Sequence, residues 1–197
     1  MPPSLVERID DALPQTQCTR CGYADCRAYA QAIALREAAI DRCPPGGAEG
    51  VARLAAITGD APRPLDSTVG LEGPLHRAVI DESACIGCTR CLPVCPVDCI
   101  VGGNKSLHVV IAPLCTGCEL CLPECPVDCI VMAPVDPERT GWSAWSASQA
   151  ATARHRYAAH RARREATGPG HDGKGAPSID ARALVGAALQ RARSARP

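Results

Sequence analysis

Apolar residues recur at helical spacing along the first third of the chain. Leu5, Ile9 and Leu13 fall four residues apart with Pro14 directly behind them, which predicts a helix ending there. The Ala-rich stretch around Cys26 predicts a helix from about Ala24 to Ala34, followed by a reversal before Cys43. AEGVARLAAITG, residues 48–59, predicts a further amphipathic helix with Gly59 as its C-cap. Residues 60–77 lose the periodicity, are rich in Pro and Gly, and read as a linker.

The pattern then shortens. AVI at 78–80 and HVVI at 108–111 are β-prone and each precedes a run of cysteines, while CIV follows each run. Each half therefore reads as strand, cysteine loop, short helix, strand, with Gly102–Lys105 as the turn between halves. Beyond Pro134 the chain is Ala, Arg, Ser and Gly, with helices expected at Ser148–Glu165 and Ile179–Arg193 around a flexible break at Gly168–Pro177. The fold class is α+β, in four segments: a small helical module (1–59), a linker (60–77), a duplicated cysteine-rich module (78–133) and a helical or disordered Ala/Arg-rich tail (134–197).

Composition changes this picture in two ways. The 197 residues include fourteen cysteines but no Phe, three Tyr and two Trp, so aromatic residues supply little core and bound metal is expected to add stability. The N-terminus lacks the basic and apolar regions of a signal peptide, and no run of eighteen apolar residues occurs. In a reducing cytosol, patterned cysteines are metal ligands or redox centres rather than bridges. The zero net charge also hides an asymmetry. Residues 1–131 hold 10 Lys/Arg against 16 Asp/Glu and all the cysteines, whereas residues 132–197 hold 11 against 5.

The cysteine runs are an internal duplication. With Cys85 aligned on Cys115, thirteen of seventeen positions are identical. Each has the form C-x2-C-x2-C-x3-C-P, once at Cys85, Cys88, Cys91 and Cys95, and again at Cys115, Cys118, Cys121 and Cys125. This is the bacterial ferredoxin run, in which the fourth cysteine serves the other cluster. One cluster is then expected on Cys85, Cys88, Cys91 and Cys125, and a second on Cys115, Cys118, Cys121 and Cys95. A structural zinc site pairs two short hooks around one ion, a geometry that this spacing does not suit.

The first module spaces its cysteines differently, as Cys18-x2-Cys21-x4-Cys26-x16-Cys43. A straight helix from Cys26 to Cys43 would run roughly 24 Å and overshoot any shared metal, so the segment has to fold back. Four such ligands fit a further 4Fe–4S cluster, and zinc is the competing occupant on spacing alone.

At these residues the chain resembles a known family. LPQTQCTRCGYADCRAYAQAI…CPPGG is similar to the small iron–sulfur module of the B subunit of Rnf-type (Rsx-type) electron transport complexes, and residues 78–132 to its paired ferredoxin module. The resemblance covers about residues 12–133. It implies three 4Fe–4S clusters, with Cys18, Cys21, Cys26 and Cys43 holding the first. It implies relay of single electrons within a membrane complex that couples ferredoxin and NAD to ion transport. The expected partners are flavin-, NAD- or ferredoxin-linked redox proteins, with any catalytic step on the partner. Family members usually begin with a hydrophobic anchor. This sequence starts almost directly at the cluster module, which predicts a cytoplasmic protein, at most peripheral on the inner membrane. The family often has glycine in the reversal before the fourth ligand, where this chain has Leu35–Arg36–Glu37.

The remaining candidates have plain readings. Cys99 and Cys129 are fifth cysteines, read as small apolar residues packed beside the clusters, with a spare-ligand role as the alternative. Asp98 and Asp128 are expected to cap turns, with a secondary effect on reduction potential. His76, His108, His155, His160 and His171 accompany no nucleophile, and His108 is expected to face outward from its strand. No P-loop or G-x-G-x-x-G occurs, so direct nucleotide binding is not expected. Trp142 and Trp145 are expected to pack the start of the tail onto the body. Arg154, Arg156, Arg161, Arg163 and Arg164 read as a solvated extension, or as a dock for an acidic redox partner, an anionic membrane or nucleic acid. Two other functions compete with relay in such a complex: a ferredoxin-like component of a soluble oxidoreductase, and a redox-sensing regulator that binds nucleic acid. The acidity of the body argues against the second.

Overall fold

A computed structural model describes residues 2–167 of the protein. The first three helices are α1 (Leu5–Ala12), α2 (Cys26–Ala34) and α3 (Gly47–Thr58). Each starts or stops where local chemistry dictates. Ser4 caps α1 in a reciprocal capping box with Glu7, and Asp25 caps α2 by accepting the Ala28 N–H at 2.7 Å. The three helices close over Ile9, Leu13, Tyr29, Ile33, Ile40, Val51 and Leu54, each side chain contributing on the order of 1.5–3 kcal/mol by leaving water.

Tyr29 sets the fold-back to Cys43. Its hydroxyl donates to the Ala39 carbonyl at 2.8 Å and accepts the Arg42 N–H at 3.1 Å, tying the returning chain to α2. The reversal itself uses Arg36 at φ 63°, a left-handed position that costs a non-glycine residue roughly 1–2 kcal/mol. Arg36 is held there by Asp60 at 2.5 Å and by the Thr58 carbonyl at 3.2 Å. Arginine can therefore stand where glycine was expected because the segment after α3 holds its guanidinium.

The duplicated module is pseudo-symmetric. Strand β1 (His76–Ile80) pairs antiparallel with β4 (Ile130–Pro134), with Ala78 opposite Met132, and β2 (Ile100–Val101) pairs with β3 (Val109–Val110). Both pairs join one half of the repeat to the other. The single-turn helix α4 (Cys91–Val94) follows the first cysteine loop, and the corresponding place in the second half is a turn. The segment expected as a linker is pinned along its length. Asp66 meets Arg42 at 2.7 Å, and Glu72 accepts the Ala48 N–H at 2.8 Å and the Thr140 hydroxyl at 2.7 Å.

Helix α5 (Ala147–Thr167) covers the helix expected at Ser148–Glu165. The reading of its arginines as a solvated or disordered extension is corrected, because they bind the body of the same chain. Arg154 pairs with Asp11 and donates to the Asp10 carbonyl at 2.9 Å, while Arg161 reaches Asp25 at 3.2 Å. Arg156 donates to the carbonyls of Val97 and Asp98 at 2.6 and 2.9 Å, and Arg164 to that of Pro93 at 2.6 Å. Ala150 and Ala153 of α5 and both tryptophans are buried in the core of the duplicated module, as the packing role predicted for the tryptophans requires. Trp145 also donates its indole N–H to the Pro14 carbonyl at 2.8 Å, and Arg53 lies 4.0 Å over the Trp142 ring. The expected helix at Ile179–Arg193, the break at Gly168–Pro177 and His171 lie outside the described residues. Among the described residues, no helix is long and apolar enough to cross a membrane.

Candidate iron–sulfur sites

All fourteen cysteines are free thiols. In the duplicated module they separate into two groups around two small internal spaces. One is lined by Cys85, Cys88, Cys91 and Cys125, with Cys129 and His108 also on its wall. The second is lined by Cys95, Cys115, Cys118 and Cys121, with Cys99 and Ala78. Leaving aside the fifth cysteines, Cys99 and Cys129, each space thus takes three cysteines from one run and the fourth from the other.

The backbone around these thiols suits an anionic group. Gly87 and Thr89 in the first loop, and Gly117 and Glu119 in the second, all take left-handed φ between 63° and 68°. Alternation of left- and right-handed residues turns successive N–H groups inward, forming the concave nest found around phosphates and iron–sulfur centres. A side chain at Gly117 would meet the His76 carbonyl oxygen at 2.5 Å, so this turn requires glycine on two counts. N–H groups also point at sulfur: Ala78 to Cys115 at 3.4 Å, Cys99 to Cys95 at 3.3 Å, and Cys129 to Cys125 at 3.3 Å.

Burial pushes three of these thiols up, Cys91 to about 11 and Cys118 and Cys121 to about 12. Burial raises Cys26 and Cys43 in the first module well above the ordinary thiol value as well, and neighbouring thiols add to the effect. Thiols that resist ionising in an apolar enclosure need a compensating positive centre, and metal binding supplies one while releasing their protons. Among the described residues, no three His, Cys, Asp or Glu side chains gather closely enough to hold a single ion. A tetrahedral zinc would draw its sulfurs to about 2.3 Å from one point. The all-thiol donor sets, the N–H-lined loops and the spaces between the sulfurs fit a polynuclear iron–sulfur group.

Around the first module, Cys18, Cys21, Cys26 and Cys43 are brought together as electrostatic neighbours. A chain of buried amides supports their loop. Gln15 donates to the Asp10 carboxylate at 2.9 Å, Gln17 donates to Gln15 at 2.9 Å, and the Cys26 N–H donates to the Gln17 side chain at 3.0 Å. These glutamines were missed as supporting residues; the only sequence signal was QTQ directly before Cys18. The module meets the duplicated one at the second cysteine loop, where the Thr116 hydroxyl donates to the Thr16 carbonyl at 2.9 Å and Arg20 pairs with Glu119 at 2.7 Å.

Three local expectations are refined. Cys99 and Cys129 are buried, as packing predicts, but each sulfur also lies 3.4 Å from that of a neighbouring cysteine, Cys95 or Cys125. Hydrogen bonding with Cys115 and Cys95 pushes the Cys99 thiol up, and draws Cys115 down to about 6 and Cys95 to about 7. The carboxylate of Asp98 does not cap its turn; it pairs with His160 at 2.8 Å and with Arg163. The outward orientation expected of His108 is wrong: the residue is 2% exposed and its ring lies in the wall of the first space.

Comparison with known proteins agrees with this reading. Residues 78–132 match the family described as "4Fe-4S dicluster domain" and residues 13–45 the family described as "Putative Fe-S cluster". A protein of Azoarcus sp. (strain BH72) is 57% identical over 110 residues, which are 56% of this chain and 60% of the relative. One of Thiobacillus denitrificans is 55% identical over 108 residues, 55% of this chain and 57% of the relative. One of Alkalilimnicola ehrlichii is 51% identical over 156 residues, 78% of this chain and 83% of the relative. All three are named as the B subunit of the ion-translocating oxidoreductase complex. The chain thus spans a little under two thirds of the first two relatives and most of the third. No solved structure matches it. A 51% identity that extends over most of both chains shows that this chain belongs to the B-subunit family of ion-translocating oxidoreductase complexes.

Proposed function

We propose that this chain relays single electrons through three 4Fe–4S clusters as a component of an ion-translocating oxidoreductase complex. Cys18, Cys21, Cys26 and Cys43 would hold the first cluster. Cys85, Cys88, Cys91 and Cys125 would hold the second, and Cys95, Cys115, Cys118 and Cys121 the third. The observation that carries the reading is the sorting of the ferredoxin-run cysteines into two enclosed sets, each with three thiols from one run and one from the other.

When bound, each cluster would take up and give back one electron without making or breaking bonds to the protein. The residues of the chain do the rest. Thiolates fix position, inward N–H groups offset the negative charge, and the surrounding apolar wall excludes water. The contacts of Thr116 with Thr16 and of Glu119 with Arg20 bring the Cys115 loop against the first module. They support an order of sites with the Cys115 set between the Cys18 set and the Cys85 set. We infer that the partners are redox proteins of that complex. Because α5 spends its arginines on this chain's own carboxylates and carbonyls, it offers little to nucleic acid.

Anaerobic purification with iron and sulfide analysis tests the count. The proposal expects about twelve of each per chain, falling to about eight in C18A/C43A. A zinc-containing, iron-free first module would contradict the three-cluster relay.

A further inference from the structure

The two cysteine-lined spaces are related by the repeat, yet one wall position differs in kind. With Cys85 aligned on Cys115, His108 corresponds to Ala78. His108 lines the space with Cys85, Cys88, Cys91 and Cys125, and Ala78 lines the other. Only one of the two sites therefore has an imidazole.

The ring is built in. His108 is 2% exposed, and its Nδ1 lies 3.4 Å from the Cys91 sulfur. A side chain at residue 102 would meet the ring's Cδ2 at 2.1 Å, so glycine there leaves the ring its place. Its Nε2 is buried and bonds no protein atom. Leaving a buried polar nitrogen without a partner carries a desolvation cost that an apolar side chain of similar size would avoid. Space-filling alone gives no reason for a histidine.

The chemistry of the contact fixes its direction. A metal-bound thiolate is an acceptor only, so the proton between Cys91 and His108 has to sit on Nδ1. A donor to a ligating thiolate withdraws negative charge and favours the more negative, reduced state, which raises the potential. We propose that His108 donates Nδ1–H to the Cys91 thiolate and thereby raises the reduction potential of the cluster held by Cys85, Cys88, Cys91 and Cys125. Alanine, at the corresponding position of the other half, has no side-chain donor to offer. This rests on the cluster assignment proposed above.

The test uses the full chain, purified without oxygen, with iron and sulfide counted before EPR-monitored redox titration. H108L fills the site without a donor, and H108N places an amide N–H close to the position of Nδ1. In H108L one of the midpoints should fall by about 59 mV or more, a tenfold change in that cluster's reduced-to-oxidised ratio at fixed potential, with the others unmoved. H108N should recover most of the shift. Unmoved midpoints in iron-replete H108L, or equal shifts in H108L and H108N, would overturn the proposal. If H108L does not hold its iron, wild-type protein with ¹⁵N-labelled histidine decides. Pulsed EPR of the reduced protein should show coupling to an imidazole nitrogen, and its absence overturns the role. A wild-type preparation without iron at this site would defeat the cluster assignment as well, whereas unmoved midpoints in iron-replete protein defeat the role of His108 alone.

Discussion

Cys99 and Cys129 answer why each run carries five thiols when a cubane takes four. Their sulfurs sit 3.4 Å from Cys95 and Cys125, on the walls of the two spaces. Hydrogen bonding with Cys115 and Cys95 pushes the Cys99 thiol up, and burial with the Cys125 contact pushes Cys129 up to about 12. A thiol that keeps its proton is a donor to the cluster's ligands rather than a ligand. C99A/C129A should therefore retain its iron within error while the two ferredoxin-type midpoints fall, and C99S/C129S should fall less because the hydroxyl still donates. Loss of about four or more irons from the alanine variant would instead make these residues ligands. Most of the proposed ligands are separated by two to four residues, which made them candidates in the sequence. The place of His108 was not legible there, because the room for its ring comes from Gly102 across the turn and from a strand only two residues long.

At the scale of elements, α5 is held to the body by charge. The Asp98 carboxyl is partly buried, which opposes ionisation, but hydrogen bonds from His160 and Arg163 hold it below the usual carboxylate range. Its contribution is therefore complete above the unfolded value of about 3.9 and lost as pH falls through the lower folded value. D98N mimics the acid form at neutral pH, where the clusters are not exposed to acid. With Asp98 about one third exposed, solvent screening limits the effect to about 1 kcal/mol. This corresponds to roughly fivefold faster proteolytic cleavage of α5 at pH 7; an unchanged cleavage rate would show that Asp98 does not hold the helix. The helix itself was legible from composition and periodicity. Its docking was not, since Asp10 and Asp25 lie far from it in sequence and Asp98 reads there as the cap of a turn.

For the whole molecule, the arginines of α5 meet carboxylates of the acidic body within one chain. The docked helix also breaks the symmetry of the repeat: Asp98 is neutralised by α5, whereas Asp128, its counterpart, stays exposed. Together with His108 opposite Ala78, this gives two sites of nearly identical sequence different surroundings. The first helices, the short strands and the fold-back to Cys43 followed from spacing and periodicity. The way the modules meet did not. The contacts of Thr116 with Thr16 and of Trp145 with Pro14 join residues about a hundred or more positions apart.

The account depends most on Cys125 and Cys95 each serving the opposite half, and paired substitutions test this directly. Removing Cys88 and Cys125 together should strip two ligands from one site, losing about four irons while the other ferredoxin-type EPR signal survives unaltered. Removing Cys118 and Cys125 should damage both sites at once. The reverse outcome, with C118A/C125A losing a single cluster and C88A/C125A perturbing two, would contradict it.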